Sequence, residues 1–443
     1  MKKTSLWVAV SILAAACGGT ATVAPPPVAK PLVAPVAKVS VCERTRPNTG
    51  PVRLDTRRQS GVVALAKVGD STIAYVADSD DESLQTYDVD AGKLLAVTRL
   101  GAAPEHVLVL SDGRVAVTMR NQNRVQLLEP HADAAQPLTG LCSLRTPAEP
   151  VAMALTVDDS TLLVTSAFAH KLTGYNSLTG AKRFIQNLPR EPRAVLVDDD
   201  GQRAFVAHVI GGHVSVVDLA ENATEPVRQI DMRVPKLFGT TNNDPLRSSC
   251  QGFALAKSFM TRKPAAATHP ALPGGHHAAA TSPALALKVP SGRLFVPRVT
   301  IEGGDATQRT EGYGGDSVRQ IEEPIVTVVD SLAERNMTRT VSDIAGTSGR
   351  CLLPRAAVVS GNSGSLLLTC LGSDTVVELD AGALDPSQSQ RRQWPVPAGP
   401  TGLALDDNKG NAVVWSQFER RLSVLDLNSK ESQITTVVAP RLS

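Results

Sequence analysis

The sequence is poor in aromatic residues, with 8 Phe, 4 Tyr and 3 Trp among 443 residues. So few rings argue against the aromatic stacking platforms that bind single-stranded nucleic acids. A dominant charge is also missing, because 45 Lys and Arg stand against 43 Asp and Glu. The basic surface typical of a nucleic-acid-binding protein is therefore not indicated. Beyond the N-terminus, no apolar run is long enough to span a bilayer.

The first 16 residues have the features of a bacterial export signal. Lys2 and Lys3 precede a short apolar run that ends in small residues at Ala16, which predicts a signal peptide over residues 1–16. The string from Leu13 to Cys17 resembles a lipobox, although Ala14 stands where Leu is usual. The resemblance implies cleavage before Cys17 and lipid on its thiol and amine. An ordinary secretory signal with a chance cysteine is the alternative.

Residues 17–50 predict a tether. Five prolines between residues 25 and 35 favour polyproline II, which does not form a packed core. At about 3.1 Å per residue, residues 18–40 would reach roughly 70 Å from a membrane. We therefore expect a lipid-anchored protein of the bacterial cell envelope, on the periplasmic face or the cell surface, with the lipid membrane as one partner.

The remainder of the chain, residues 51–443, repeats one phrase. Each copy has a Pro, alternating apolar residues, an acidic or Gly turn, an apolar strand, and a further strand that ends in Asp or Asn. Six copies begin at Pro104, Pro150, Pro192, Pro283, Pro354 and Pro400, and an earlier copy without Pro begins near Gly61. The shorter spacings of 46, 42 and 46 residues fit a four-stranded blade. Seven copies predict an all-β, seven-bladed β-propeller of antiparallel blades.

The repeated phrase resembles the YVTN-type β-propeller repeat family across nearly all of residues 60–443. The resemblance implies the fold and says little about function. Residues 51–55 are expected to supply an outer strand that closes the ring with residues 432–438. Closure of this kind would remove exposed sheet edges.

Two intervals between repeats are longer than one blade and predict insertions at about 233–282 and 302–324. Strand direction places both on the face where the first strand of each blade begins. Long loops on a rigid scaffold often carry function, and tolerated surface decoration is the alternative. The residues of interest in these insertions are Cys250, His276, His277 and Tyr313. The spacing of Cys250, His269, His276 and His277 matches no standard zinc pattern, so no metal site is predicted.

Further residues should surround the channel mouth by their position in the repeat. His106, Arg193 and Arg355 follow the anchor Pro, whereas Arg120, His170, His208 and Arg298 follow the second strand. A rim rich in Arg and His favours an anionic ligand or an acidic partner surface. The alternative is that these residues are solvated and paired with nearby acids.

The acidic clusters Asp158–Asp159, Asp198–Asp200 and Asp406–Asp407 fall at turns between first and second strands. They lack the spacing of a calcium loop, so we interpret them as turn residues.

The cysteines of an exported chain meet an oxidising compartment. Cys351 precedes a first strand and Cys370 ends the second strand of the same blade, which predicts a disulfide between them. Cys42 with Cys142 is the weaker second pair, and Cys250 competes for a partner.

Several strings are similar to the propeller halves of envelope proteins fused to di-haem cytochrome c peroxidase-like domains. They are CQGFALAKS, GRLFVP, GYGG and AVVWSQFERRLSVLDL. The resemblance implies an electron-transfer setting. No Cys-x-x-Cys-His string occurs, so no covalent haem c is predicted, and no other cofactor is predicted either.

The leading functional hypothesis is a non-enzymatic binding or scaffold module for an envelope protein or a small anionic ligand, with a cytochrome as one partner to consider. A propeller-type hydrolase or lactonase is the first alternative. It is not favoured, because the predicted mouth is poor in carboxylates and no Gly-x-Ser-x-Gly string occurs. Noncovalent haem binding through His106, His170 or His208 is the second alternative.

Overall fold

A computed structural model describes residues 42–45, 50–54, 58–220, 227–233, 277–279, 286–288, 292–301, 322–338, 343–346, 349–429 and 434–439. Within these residues the chain forms seven antiparallel β-sheets of four or five strands that follow one another around a ring, and one separate two-stranded sheet. The predicted seven-bladed propeller is confirmed. Among the helices of these residues, none is long and apolar enough to cross a membrane.

The blades consist of consecutive strands. They are Val63–Val68, Ser71–Asp78, Ser83–Asp88 and Lys93–Arg99 in blade 1; Val107–Val109, Val115–Met119, Arg124–Glu129 and Thr139–Arg145 in blade 2; Pro150–Leu155, Thr161–Ser166, Lys171–Asn176 and Lys182–Asn187 in blade 3; and Pro192–Val197, Arg203–His208, His213–Asp218 and Arg228–Asp231 in blade 4. Blade 5 has Ala286–Lys288, Arg293–Ile301, Glu322–Asp330 and Arg335–Asn336, with His277–Ala279 added. Blade 6 has Pro354–Val359, Ser365–Cys370, Thr375–Asp380 and Gln390–Pro395, and blade 7 has Pro400–Asp406, Asn411–Ser416, Arg421–Asp426 and Ile434–Val438.

Smaller elements lie outside this pattern. They are the strand Val52–Arg53, the short hairpin strands Ala345–Gly346 and Gly349–Arg350, and the 3₁₀ helices Arg120–Gln122 and Pro386–Gln388.

The second strands are buried because each is covered by the blades on both sides. Every residue of Thr161–Ser166 and of Ser365–Cys370 is buried, whereas the outer strand Lys182–Asn187 is half exposed. A strand covered on both faces reads as a nearly continuous apolar run, and these strands have the sequences TLLVTS and SLLLTC. The cores between blades are therefore aliphatic, which explains how the fold forms with few aromatic residues.

Arginines on one face connect neighbouring blades. Each donates from its guanidinium to a backbone carbonyl in the last hairpin of the next blade. The donors and acceptors are Arg114 to Ser177, Arg203 to Ser331, Arg293 to Ala381 and Arg392 to Leu427. Because these carbonyls lie at turns, they have no strand partner, and the arginine satisfies them.

The ring closes differently from the sequence-based expectation. Val52–Arg53 pairs with the inner edge of blade 1, at Lys67 and Ala66, and Ile434–Val438 is the outer strand of blade 7. The prediction that residues 51–55 form an outer strand with residues 432–438 was wrong. Each of these two blades already has four contiguous strands, so no strand is exchanged between the ends of the chain.

Side chains hold the first and last blades together instead. Arg420 donates to Asp78, which is fully buried, and Thr72 Oγ1 donates to Asp406 at 2.8 Å. Gly402 allows the close approach of the two blades. A Cβ at this position would lie 2.8 Å from Val63 Cγ2 and 3.1 Å from Trp415 Cβ.

Both predicted disulfides are present. Cys351 pairs with Cys370 in blade 6, and Cys42 pairs with Cys142 in the outer strand of blade 2. Cys250 lies outside the described residues.

The predicted insertions lie mostly outside the described residues, but blade 5 shows where they leave the sheet. Its second and third strands, Arg293–Ile301 and Glu322–Asp330, are nine residues long. Their last three pairs extend the blade, and His277–Ala279 pairs with Val299–Ile301. The second insertion thus begins at the same end of blade 5 at which the first insertion, through His277–Ala279, rejoins the sheet.

Candidate functional site

The site is the central channel. We use "mouth face" for the face where first strands begin and second strands end, and "turn face" for the opposite face. A cavity of about 800 Å³ lies along the channel, from Gln417 and Phe418 at the mouth face to Asp199 and Asp407 at the turn face. This volume is within the range of small-molecule sites.

In four of the blades, a β-bulge in the first strand directs one side chain toward the cavity. The register of the first strand shifts just after the anchor Pro in blades 3, 4, 6 and 7. A bulge leaves a residue outside the ladder and re-aims its side chain. The residues that follow Pro in these blades are Val151, Arg193, Arg355 and Thr401, and all four line the cavity.

The residue before each of these prolines has a left-handed backbone. Three are not glycine: Glu149, Glu191 and Leu353 have φ of 59°, 53° and 51°. Their carbonyls accept from the residue after the second strand, such as Val209 N to Glu191 O at 3.1 Å. In blade 7 the position is Gly399, where a Cβ would lie 2.6 Å from Phe418. Strained backbone of this kind clusters at functional sites.

The N-terminal segment 58–61 forms one wall of the cavity. Ser60 N donates to Met153 O at 2.9 Å in blade 3, and Val107 N donates to Gly61 O at 2.7 Å in blade 2. At the turn face, Arg53 donates from both Nη atoms to Asp159 at 2.9 and 3.1 Å. The chain therefore covers part of the inner edges of blades 1, 2 and 3.

His106 reaches the cavity from blade 2. Its Nδ1 lies 3.2 Å from Ser60 Oγ, which also accepts from Met153 N at 2.7 Å. This arrangement suits a neutral ring that accepts the Ser60 hydroxyl proton. Burial lowers the pKa of His106, the carboxylate of Glu105 opposes this shift, and the charge of Arg193 adds to it.

Arg193 and Arg355 project into the same cavity from blades 4 and 6. Burial lowers the pKa of Arg355, Glu105 opposes this shift, and the positive charge of Arg193 adds to it. Two guanidinium groups thus repel each other across a half-buried space. Arg193 Nε is buried and has no hydrogen-bond partner among the described residues, and the same holds for Thr401 Oγ1. Such atoms need a partner such as water or a ligand.

Acidic residues balance part of this charge. Arg193 Nη2 donates to Glu191 at 3.0 Å, and Arg120 pairs with Glu149 at 3.3 Å and with Glu105 at 4.0 Å. Glu105 lines the cavity together with Arg193 and Arg355, whereas Glu149 and Glu191 do not. At the mouth, two guanidinium groups therefore face the cavity against one carboxylate.

The other predicted mouth residues lie away from the cavity. Arg298 is 1% exposed, because its strand continues to Ile301 and leaves it inside the sheet, where it donates to Thr327 and to Met232 O. Burial lowers its pKa to about 10. The expected mouth position of Arg298 is thus corrected to the interior between blades 4 and 5.

His208 lies at the mouth face, but its side chain is buried and does not line the cavity. It is the last residue of its strand, and its two ring nitrogens contact Arg190 O at 2.8 Å and Ser215 Oγ at 2.9 Å. With both nitrogens occupied, His208 has none left for an axial bond to haem. Arg120 and His170 lie in loops between second and third strands and do not line the cavity.

The predicted residues of the insertion face are not placed. Cys250, His276 and Tyr313 lie outside the described residues, as does Cys17. His277 begins a short strand and pairs with Ile301 in blade 5.

Apolar residues at the mouth were missed by the sequence analysis. Phe168, Ile210 and Phe418 are 70%, 50% and 68% exposed, and each follows the second strand of its blade. The sequence signal that could have identified them is an apolar residue just after the end of the second strand of a blade. In the described part of the chain, His, Cys, Asp and Glu form no group of three or more that could hold a metal ion.

Comparisons with known proteins show the fold alone. No family model matches the sequence, and no curated protein matches it in sequence. Among solved structures, Kuenenia stuttgartiensis hydrazine synthase is similar with a TM-score of 0.59 and 13% identity, over 80% of this chain and 92% of that chain. A functionally unknown protein from Desulfotomaculum acetoxidans DSM 771 gives 0.51 and 11%, over 83% and 99%. A streptogramin B lyase gives 0.46 and 10%, over 84% and 93%.

Proposed function

We propose that the propeller is a binding module of the bacterial cell envelope that takes a small anionic ligand in its central cavity. The observation that carries the proposal is the pair Arg193 and Arg355. An anion between them relieves their mutual repulsion, and Arg side chains suit carboxylate and phosphate geometry. The buried Nε of Arg193 would gain the partner that it lacks among the described residues.

Envelope localisation is the second part of the proposal. Two disulfides support a compartment outside the cytoplasm, since disulfides persist in oxidising environments. The lipobox-like string supports lipid attachment at Cys17. Metabolic labelling with an alkyne fatty acid tests this directly. Wild-type protein should carry the label and sediment with membranes, whereas a Cys17→Ser variant should carry none.

The ligand proposal is tested by calorimetric titration with phosphate, sulfate and succinate. We expect at least one of these anions to bind, and the Arg193→Gln/Arg355→Gln variant to bind at least tenfold more weakly. Arg190→Gln is the matched control, because Arg190 precedes the strand that carries Arg193 but is exposed and does not line the cavity. Binding that is absent in the wild-type protein, or equal in the double variant, would overturn the proposal.

A further inference from the structure

The cavity wall below the two arginines is aliphatic. The inner strands contribute Val109, Leu196, Val358 and Ala404 to the lining, from blades 2, 4, 6 and 7. Leu196, Val358 and Ala404 are only half-buried. The mouth thus carries charge, whereas the middle of the cavity exposes hydrocarbon.

Apolar surface left inside a cavity indicates a ligand with a complementary apolar part. Exposed aliphatic groups are costly unless something covers them, and small-molecule sites combine apolar walls with a few polar groups. Among the described residues that line this cavity, Phe418 and His106 have the only aromatic rings. The wall therefore suits a flexible aliphatic chain better than a flat aromatic group.

The far end of the cavity indicates that the ligand has one anionic group rather than two. Asp199 and Asp407 lie there. Asp407 accepts from Ser360 Oγ at 2.6 Å and from Gly361 N at 2.8 Å. At the same end, the two arginines of the lining, Arg53 and Arg58, both pair with Asp159, at 2.9 and 3.7 Å. A second carboxylate at this end would meet like charge.

We propose that the ligand of the central cavity is an aliphatic monoanion, with its carboxylate between Arg193 and Arg355 and its hydrocarbon chain along the inner strands. This inference rests on the proposed function and names the chemical class of its ligand. Thr401, whose buried Oγ1 has no hydrogen-bond partner among the described residues, supplies a hydroxyl group beside the carboxylate. Phe418 covers the chain at the mouth.

The test is a calorimetric series with butyrate, hexanoate, octanoate and decanoate below their micellar concentrations. Each buried methylene should tighten binding by about fourfold until the cavity is filled. Octanedioate should bind more weakly than octanoate because of Asp199 and Asp407, and octanol should bind more weakly because it lacks the charge.

Two variants distinguish the contribution of the apolar wall to binding from that of the anionic head group. Val358→Thr keeps the shape of the side chain but replaces one methyl group with a hydroxyl group, so it should reduce the gain per methylene while phosphate binding is unchanged. Leu196→Asn should act in the same direction. Circular dichroism confirms that each variant is folded.

The outcomes distinguish this inference from the proposed function. If phosphate or sulfate binds through Arg193 and Arg355 but affinity does not rise with chain length, the aliphatic ligand is excluded and anion binding stands. If affinity rises with chain length equally for alcohols and acids, and does so in the Arg193→Gln/Arg355→Gln variant as well, the site is apolar and both proposals fail. If no anion binds, both also fail.

Discussion

The two faces of the propeller use arginine in opposite ways. On the turn face, Arg114 is 1% exposed and donates to Ser177 O at 2.7 Å and to Cys42 O at 2.5 Å. On the mouth face, the side chain of Arg193 is 23% exposed and its buried Nε has no hydrogen-bond partner among the described residues. Arg293 on the turn face also has a buried Nε without a hydrogen-bond partner among the described residues, but Arg293 does not line the cavity. The donor of Arg193 lies where a ligand or water can satisfy it.

Arg420 is an instructive exception on the mouth face. It pairs with the fully buried Asp78 across the contact between blades 7 and 1. Its role is to close the ring, and neither residue lines the cavity. What separates stabilising arginines from binding arginines is therefore their contact with the cavity rather than their face alone.

The largest expected effect concerns the two disulfides. Cys42 and Cys142 are 100 residues apart, whereas Cys351 and Cys370 are 19 apart. Because a longer loop loses more entropy when it is cross-linked, replacing the first pair with Ser should cost about 4–5 kcal/mol and the second about 3 kcal/mol. Equilibrium unfolding in guanidinium measures both free energies. If replacing the first pair costs no more than replacing the second, native contacts of the N-terminal segment rather than loop entropy determine the two costs.

The next effect compares the same substitution on the two faces. Arg114→Met removes the donor to two buried carbonyls and should lower the free energy of unfolding by about 3 kcal/mol. Arg193→Met removes one half-exposed ion pair and should cost less than about 1 kcal/mol. Urea unfolding of both variants gives the comparison. Similar costs would contradict the division between stabilising and binding arginines.

A smaller effect is expected from pH. Burial lowers the pKa of His208 from 6.5 to about 4, with His213 and His170 adding to the shift. As the pH falls from about 6.5 to 4, the His208 side chain binds a proton in the unfolded chain before it does so in the folded chain. The protein therefore loses stability in that window. The loss from this group between pH 7 and pH 5 should be about 2 kcal/mol.

The control for this prediction is His208→Gln, which has no titrating group at the position. The difference between the two proteins in the pH dependence of unfolding isolates His208. If the stability of the wild-type protein changed with pH in the same way as that of His208→Gln, the buried, neutral state of His208 would be contradicted.

The sequence predicted the parts of the fold that depend on local pattern. The anchor prolines and the apolar strands identified the blades, and the repeat position of Arg193 and Arg355 placed both at the cavity. Arg298 was misplaced because the period of the repeat does not show that its strand continues to Ile301. The local pattern does not show that this strand is extended, because its partner strand, Glu322–Asp330, lies on the other side of an insertion.

Two other features were beyond the local pattern. Residues 58–61 join the cavity wall through backbone bonds to blades 2 and 3, and such bonds leave no side-chain signature. The left-handed Glu149 and Glu191 precede proline, and a Glu at such a position gives no sign of a positive φ. Both features arise from tertiary context that overrides local preference.

The central claim is that the mouth arginines meet a ligand while the turn-face arginines hold the fold. Phenylglyoxal modification of the native protein, followed by mass spectrometry, tests it most directly because each arginine reports its own accessibility. Arg193 should react at least tenfold faster than Arg114. Saturation with phosphate or octanoate should slow Arg193 and Arg355 and leave Arg190 unchanged. Equal rates at Arg193 and Arg114, or no protection of Arg193 by any anion that binds, would contradict the account.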